Sequence, residues 1–262
     1  MPLVVGTSAP LALGSDVFST AAFDAPAGAL LVAGFAGADG DSVSGGGLTW
    51  SMRRESVSGG YVARLWTAPV PTPKPGLQVT VGGDFPQGGF KVWLVSGQDP
   101  SPIGASGSGT SAVNNATLNG YTSTREGSLG FCVAYESSIN GSLVGQPAST
   151  EVSEGFLAGE VPPPNSANAG SGLLLRKAAG APSAGSPVTF NANAPGTGSA
   201  SWVWAALEIL PPSDVTAPTT PGGLRVTEVT GASLTVAWDA STDAGGVQGY
   251  GVYLDGVKVT GP

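Results

Sequence analysis

GLTWSMRRESVSGGYVARLWTAPV, residues Gly47–Val70, is the stretch whose reading decides the fold class. Leu48, Trp50 and Met52 fall on one face of an extended chain, VSGG supplies a turn, and Tyr61, Ala63 and Leu65 alternate on the way back. A spacing of two places successive side chains on opposite faces, so the segment predicts a β-hairpin.

The same period recurs outward from this hairpin. GALLVAGFAG (Gly28–Gly37) is a short apolar run closed by glycines, as in a buried strand. GFKVWLVSG puts Phe90, Val92 and Leu94 on one face and Lys91, Trp93 and Val95 on the other, and SLGFCVAYE aligns Leu129, Phe131, Val133 and Tyr135. LQVTVGG, SGLLLRK, PVTFNA and SASWVWAALEIL complete the set, and no segment carries the i, i+3, i+4 pattern of a helix. Strands this short and this frequent predict an all-β protein, with a jelly-roll-like β-sandwich over residues 1–210. No internal repeat stands out. The segments Ile103–Asn119 and Glu160–Asn168, rich in Ser, Gly, Asn or Pro, are expected to be the mobile loops.

Composition narrows the chemistry. Of 262 residues, 41% are hydrophobic and only 11% charged, and 42 glycines with 22 prolines lie between apolar runs rather than in one tract. The formal net charge of −8 and ten scattered Lys and Arg argue against a nucleic-acid surface. The two arginines of MRRES (Met52–Ser56) read as a solvated strand face, and charge reversal at Arg64 or Lys91 is expected to do little. With no histidine and a single cysteine, a Ser-His-Asp triad, a Cys-His pair, a His-containing zinc site and an intrachain disulfide are all excluded. Cys132, among strand formers, reads as a small buried hydrophobe. The first residues lack a basic n-region and break their apolar run at Gly6 and Pro10, and no stretch approaches the roughly 20 apolar residues of a membrane span. A chain made without an export sequence is the expectation.

Carboxylates are the acid/base groups that remain. Glu136, Glu151, Glu154 and Glu160 fall in one region, but TEVSEGFLAGEVPPP reads as a charged loop, and neither catalysis nor a cofactor is expected. Asp39 and Asp41 in GADGDSVSGGG lack the spaced ligands of a calcium loop and read as a solvated turn, so no metal site is assigned. Trp50 and Trp66 read as core or cross-strand partners. In SASWVWAALEIL, Val203, Ala205, Leu207 and Ile209 form a core face, leaving Trp202, Trp204 and Glu208 on the other. Two indoles at i, i+2 there have three readings: a glycan platform, a contact between subunits or domains, or ordinary burial. Replacing both is expected to impair assembly before glycan binding.

PPSDVTAPTTPGG is a semi-rigid proline-rich linker, assigned to residues 211–222. The segment after it, residues 223–262, resembles the first half of a bacterial or phage fibronectin type III module. Leu224 and Val226 stand where the first strand packs inward. Leu234, Val236 and Trp238 alternate in SLTVAWDAS, with Trp238 as the core tryptophan. Tyr250 and Val252 open a third strand, and Asp255-Gly256 turns the chain. Such sandwiches run to about 100 residues and seven strands, so this piece holds four at most. An uncovered apolar face is then expected to be completed by further chain, or else by strand addition from a neighbour.

GGGLTWSMRRES, YVARLWTAPVP, LQVTVGG and FKVWLVSGQDPSPIGASGSG, spread over Leu48–Gly109, resemble segments of minor tail proteins of phages of actinobacteria. That resemblance implies a structural virion protein, not an enzyme: a tail, tail-tip or fibre component, assembled in the host cytoplasm, with a capsid decoration or head fibre as a variant. It implies as partners other virion proteins, copies of the chain itself in a trimer or larger ring, and a host-surface glycan. The other reading is a carbohydrate-binding accessory module of a bacterial surface enzyme.

Overall fold

Every regular element among the described residues is a strand. The computed structural model describes residues 2–6, 9–14, 16–83, 87–136, 144–146, 151–156, 171–193, 201–213, 218–243, 247 and 249–260. The all-β sandwich class expected from the period of two holds. The chain divides into two compact units, Met1–Pro212 and Ser213–Pro262.

The first unit opens with β1 (Val4–Gly6), β2 (Ala12–Gly14), β3 (Phe18–Ser19), β4 (Phe23–Ala25), β5 (Leu30–Ala38) and β6 (Ser42–Ser44). Next come β7 (Ser51–Ser58), β8 (Tyr61–Pro69), β9 (Lys74–Leu77), β10 (Thr80–Gly82) and β11 (Gln87–Ser96). They form a large sheet of order β1-β11-β5-β8-β7, with β2 also on β11, a small sheet β3-β10-β6 and a two-stranded pair β4-β9. The unit continues with β12 (Ile103–Ser111), β13 (Asn115–Thr122), β14 (Leu129–Glu136), β15 (Val144–Gln146) and β16 (Glu151–Phe156). It closes with β17 (Ser171–Lys177), β18 (Pro187–Asn193) and β19 (Trp202–Ile209). These give a large sheet β12-β19-β14-β17-β16 and a small sheet β13-β18-β15.

The two strand orders are the same order. Replacing β1/β2, β3, β5, β6, β7, β8, β10 and β11 by β12 to β19 in turn converts the first pair of sheets into the second. Turns coincide as well. Gly28 N donates to Val70 O at 2.8 Å and Val70 N to Ala29 O at 2.9 Å, while Gly127 N donates to Ala181 O and Ala181 N to Ser128 O, both at 2.8 Å. The unit is therefore an internal duplication, two topologically equivalent sandwiches in tandem, which the sequence did not disclose.

The two sandwiches meet through their large sheets. Val32, Ala36, Leu65, Trp93 and Val95 from the first pack with Phe131, Val133, Tyr135, Leu174, Val203 and Leu207 from the second. β8 lies against β14 and β19, and β17 correspondingly lies against β5 and β11, as a pseudo-two-fold relation requires. Small meets large across it. Equivalent positions hold Leu30, Val32, Gly34 and Ala36 on β5 but Leu129, Phe131, Val133 and Tyr135 on β14. A Cβ on Gly34 would stand 2.6 Å from Val133 Cγ1. The outer faces of the large sheets are covered too. Phe35, Trp66, Phe90 and Val92 pack under the first small sheet, and Cys132, Leu173, Phe190 and Trp202 under the second. Four layers of sheet result, with apolar core in each gap.

Polar contacts seal the margins of the shared core. Lys91 is 6% exposed; its Nζ donates to Ala9 O at 2.8 Å and pairs with Glu154 of the other sandwich at 2.7 Å. Arg54 Nε donates to Ser108 Oγ and Ser56 Oγ to Gly109 O, both at 3.0 Å. Arg64 pairs with Asp41 and with Glu55. The expected tolerance of charge reversal at Lys91 and Arg64 is thus corrected, because reversal would set like charges together, at Lys91 inside the interface.

The hairpin that opened the reading closes with Ser58 opposite Tyr61, and Gly59 and Gly60 carry φ of 61° and 85°, the left-handed pair that a two-residue turn needs. Ile103–Asn119, expected to be a loop, is instead β12 and most of β13. Glycine there serves packing, since the indole of Trp204 lies 3.2 Å from where a Cβ of Gly109 would stand. Glu160–Asn168 lies outside the described residues.

The second unit holds β20 (Gly222–Val229), β21 (Leu234–Asp239), β22 (Val252–Leu254) and β23 (Val257–Thr260) as two hairpins. Asp255 and Gly256 make the second turn, with φ of 49° and 82°.

Gly34→Val should overpack the shared core and cost about 1–3 kcal/mol. It should lower the urea midpoint of unfolding with little change in slope. An unchanged midpoint would contradict the face-to-face packing.

Candidate functional site

Strand β19 alternates as the sequence predicts, but both of its faces are inside. Val203, Ala205, Leu207 and Ile209 point into the shared core, and Trp202 and Trp204 into the gap beneath the small sheet. Trp202 is 0% and Trp204 7% exposed. Trp202 Nε1 donates to Val113 O at 3.2 Å, which satisfies the one polar atom of that ring. The readings as glycan platform and as surface contact are corrected accordingly: sugar stacking needs an open indole face, and neither ring has one.

Glu208, their neighbour, is also fully buried. Its Oε2 accepts from Ala105 N and Thr124 Oγ1, both at 2.7 Å, and its Oε1 from Thr124 N at 2.8 Å. Burial alone would raise its pKa. Those hydrogen bonds, helped by the nearby Ser128 hydroxyl, outweigh burial and hold it below the ordinary carboxylate value. The carboxylate staples the start of β12 to the loop before β14.

The acidic run is likewise redistributed. Glu151 and Glu154 lie on strand β16 rather than in a charged loop, Glu136 is buried at the end of β14 and accepts from Ser201 N at 3.3 Å, and Glu160 lies outside the described residues. Glu154 is committed to Lys91. Asp41 is committed to Arg64, and Asp39 sits exposed at a turn with φ of 53°. Among the described residues no group of three or more Cys, Asp or Glu is gathered as a metal would require.

Glu151 stands in another polar cluster of the second sandwich. Its side chain is 1% exposed, and its Oε1 receives Lys177 Nζ at 3.0 Å, Asn191 N at 3.2 Å and Asn191 Nδ2 at 3.4 Å. Thr117 Oγ1 donates to Asn191 Oδ1 at 3.3 Å, and Lys177 Nζ lies 4.9 Å from the centre of the Phe190 ring. Burial pushes the Glu151 carboxyl up, against the pull of Lys177 and Asn191. Cys132, fully buried, is pushed up by burial and then by the Glu151 charge. The sequence flagged Glu151 only as part of an acidic run: its partners Lys177 and Asn191 stand 26 and 40 residues further along the chain and join it only across two sheets.

In the second unit Trp238 and Tyr250 pack edge-on with centroids 5.3 Å apart, and Tyr250 Oη accepts from Ser241 N at 2.7 Å. Val236, Trp238 and Tyr250 are half-buried, whereas Leu234 is 56% exposed. Leu224, Val226 and Val257 are exposed as well.

No family model matches the chain. Chitinase A1 of Niallia circulans is 59% identical over 44 residues, which are 17% of this chain and 6% of that protein. Chitinase Chi52 of Paenibacillus xylanexedens is 46% identical over 50 residues, 19% of this chain and 10% of its own length. Both matches fall in fibronectin-type-III-like regions of those chitinases, in keeping with the fibronectin-type module expected from the sequence. The chain spans no more than a tenth of either chitinase. No solved structure matches.

Because the Glu208 pKa is depressed in the fold, its stabilisation is complete above the unfolded carboxylate value, near 4.3, and is lost as pH falls through the folded value. Glu208→Gln should lower stability at pH 7 by about 1–3 kcal/mol, through donors left without an acceptor. Its deficit against the parent protein should shrink in unfolding curves taken at successively lower pH; a deficit independent of pH would contradict the staple.

Proposed function

We propose that the chain is a non-catalytic architectural protein, a stiff double sandwich joined to a fibronectin-type spacer, serving as an accessory part of a polysaccharide-acting assembly. The observation that carries this reading is that both faces of each large sheet in the first unit are used for packing. Such a body suits spacing and display better than enclosing a substrate. The chitinase likeness of the fibronectin-type module supports the polysaccharide setting.

A second reading is a virion component, of tail or fibre, that assembles with copies of itself in a trimer or ring and meets a host-surface glycan. It is favoured by the resemblance over Leu48–Gly109, which runs from β7 into β12 and so includes the connection between the two sandwiches.

Recovery of the native protein with an antibody to residues 1–212 separates the two. Peptide mapping is expected to find polysaccharide-hydrolase segments in the same polypeptide or in a stable partner. Recovery in sedimenting virus particles, without a hydrolase, would replace the first reading by the second.

A further inference from the structure

Lys177, Glu151 and Asn191 form an amine, a carboxyl and a carboxamide held together where the large and small sheets of the second sandwich meet, with Glu151 buried and the other two half-buried. Lys177 ends β17 and Glu151 begins β16, directly opposite it in the large sheet. Asn191 comes from β18, in the small sheet. One oxygen, Glu151 Oε1, touches both the Lys177 amine at 3.0 Å and the Asn191 amide nitrogen at 3.4 Å. The Asn191 amide is oriented at both ends, Nδ2 toward Glu151 and Oδ1 toward the Thr117 hydroxyl at 3.3 Å. Phe190 supplies an apolar wall beside the amine. The equivalent of Lys177 in the first sandwich is Ala68, buried and without an amine, so the arrangement belongs to one copy of the duplication.

An ordinary surface ion pair needs none of this. We propose that Lys177 and Asn191 become joined by an intramolecular isopeptide bond, with Glu151 as the proton carrier, clamping the large sheet of the second sandwich to its small sheet. A proton passes from the Lys177 ammonium to Glu151 along their hydrogen bond. The freed Nζ attacks Asn191 Cγ, forming the Nζ–Cγ bond and placing charge on Oδ1, where the Thr117 hydroxyl donates. Glu151 delivers its proton to Nδ2, the Cγ–Nδ2 bond breaks, and ammonia leaves, taking the surplus proton from the new amide nitrogen as ammonium. Charge and atoms balance without an oxidant or a co-reactant. The site favours each step. Glu151 sits where burial pushes its carboxyl up, so it holds the transferred proton readily. Its side chain is 1% exposed, which restricts competing hydrolysis, and the reactants are pre-positioned by strand pairing.

The product is one ammonia lighter, about 17 Da. Purified full-length protein, denatured and weighed intact, is expected to show that deficit, and its tryptic map a branched peptide joining Lys177 to Asn191. Glu151→Ala and Lys177→Arg should each have the full mass of their sequences. A parent protein at the full sequence mass overturns the proposal. So does a deficit that persists in Lys177→Arg, which would mark ring closure at an asparagine instead.

Discussion

The approach of β5 to β14, with Gly34 under Val133, is the contact on which the rest of the first unit depends. Facing sheets pack about 10 Å apart, and two large side chains opposed at the centre would force them wider. Here one copy has kept small residues and the other large ones, so the sum of volumes fits although neither strand is self-complementary. Stacking of Tyr61 on Tyr135, with centroids 5.0 Å apart, and the contact of Trp93 with Phe131 at 5.3 Å extend that fit outward. Because each large sheet is sandwiched on both sides, its central strands β5 and β14 lose the polar face that antiparallel strands usually keep.

Duplication also explains where the polarity went. At matched positions the first sandwich holds Leu94 and Ala68, both buried, and the second holds Glu208 and Lys177. Among the described residues the first sandwich buries one charge, Lys91, which reaches across to Glu154 of the second, whereas the second buries Glu136, Glu151 and Glu208 among partners of its own. Such groups are expensive to bury and contribute only when every hydrogen bond is made.

Much of this was legible in the sequence. The period of two located the hairpin from Ser51 to Pro69 and assigned Phe90, Val92 and Leu94 to one face and Trp93 and Val95 to the other, as the cores confirm. It also separated Trp202 and Trp204 correctly from Val203 and Ala205. What it could not tell is that the second face is buried as well, since alternation reports sides and not what covers them. The repeat stayed hidden because Leu30-Val32-Gly34-Ala36 and Leu129-Phe131-Val133-Tyr135 differ in side-chain size at matched positions. Glycine-rich β12 read as a loop because its glycines, set close to Glu208, to the Gly120 carbonyl and to the Trp204 indole, mimic those of a turn. The Glu151 cluster depends on pairing between sheets, which no local spacing encodes.

A shared core makes one prediction that separate domains do not. Scanning calorimetry of residues 1–212 should give a single transition whose calorimetric and van't Hoff enthalpies agree, since neither sandwich can lose the large-sheet contacts alone. Two resolved transitions, or a calorimetric enthalpy about twice the van't Hoff value, would mean that the sandwiches fold independently and that the packing around Gly34 and Val133 does not unite them.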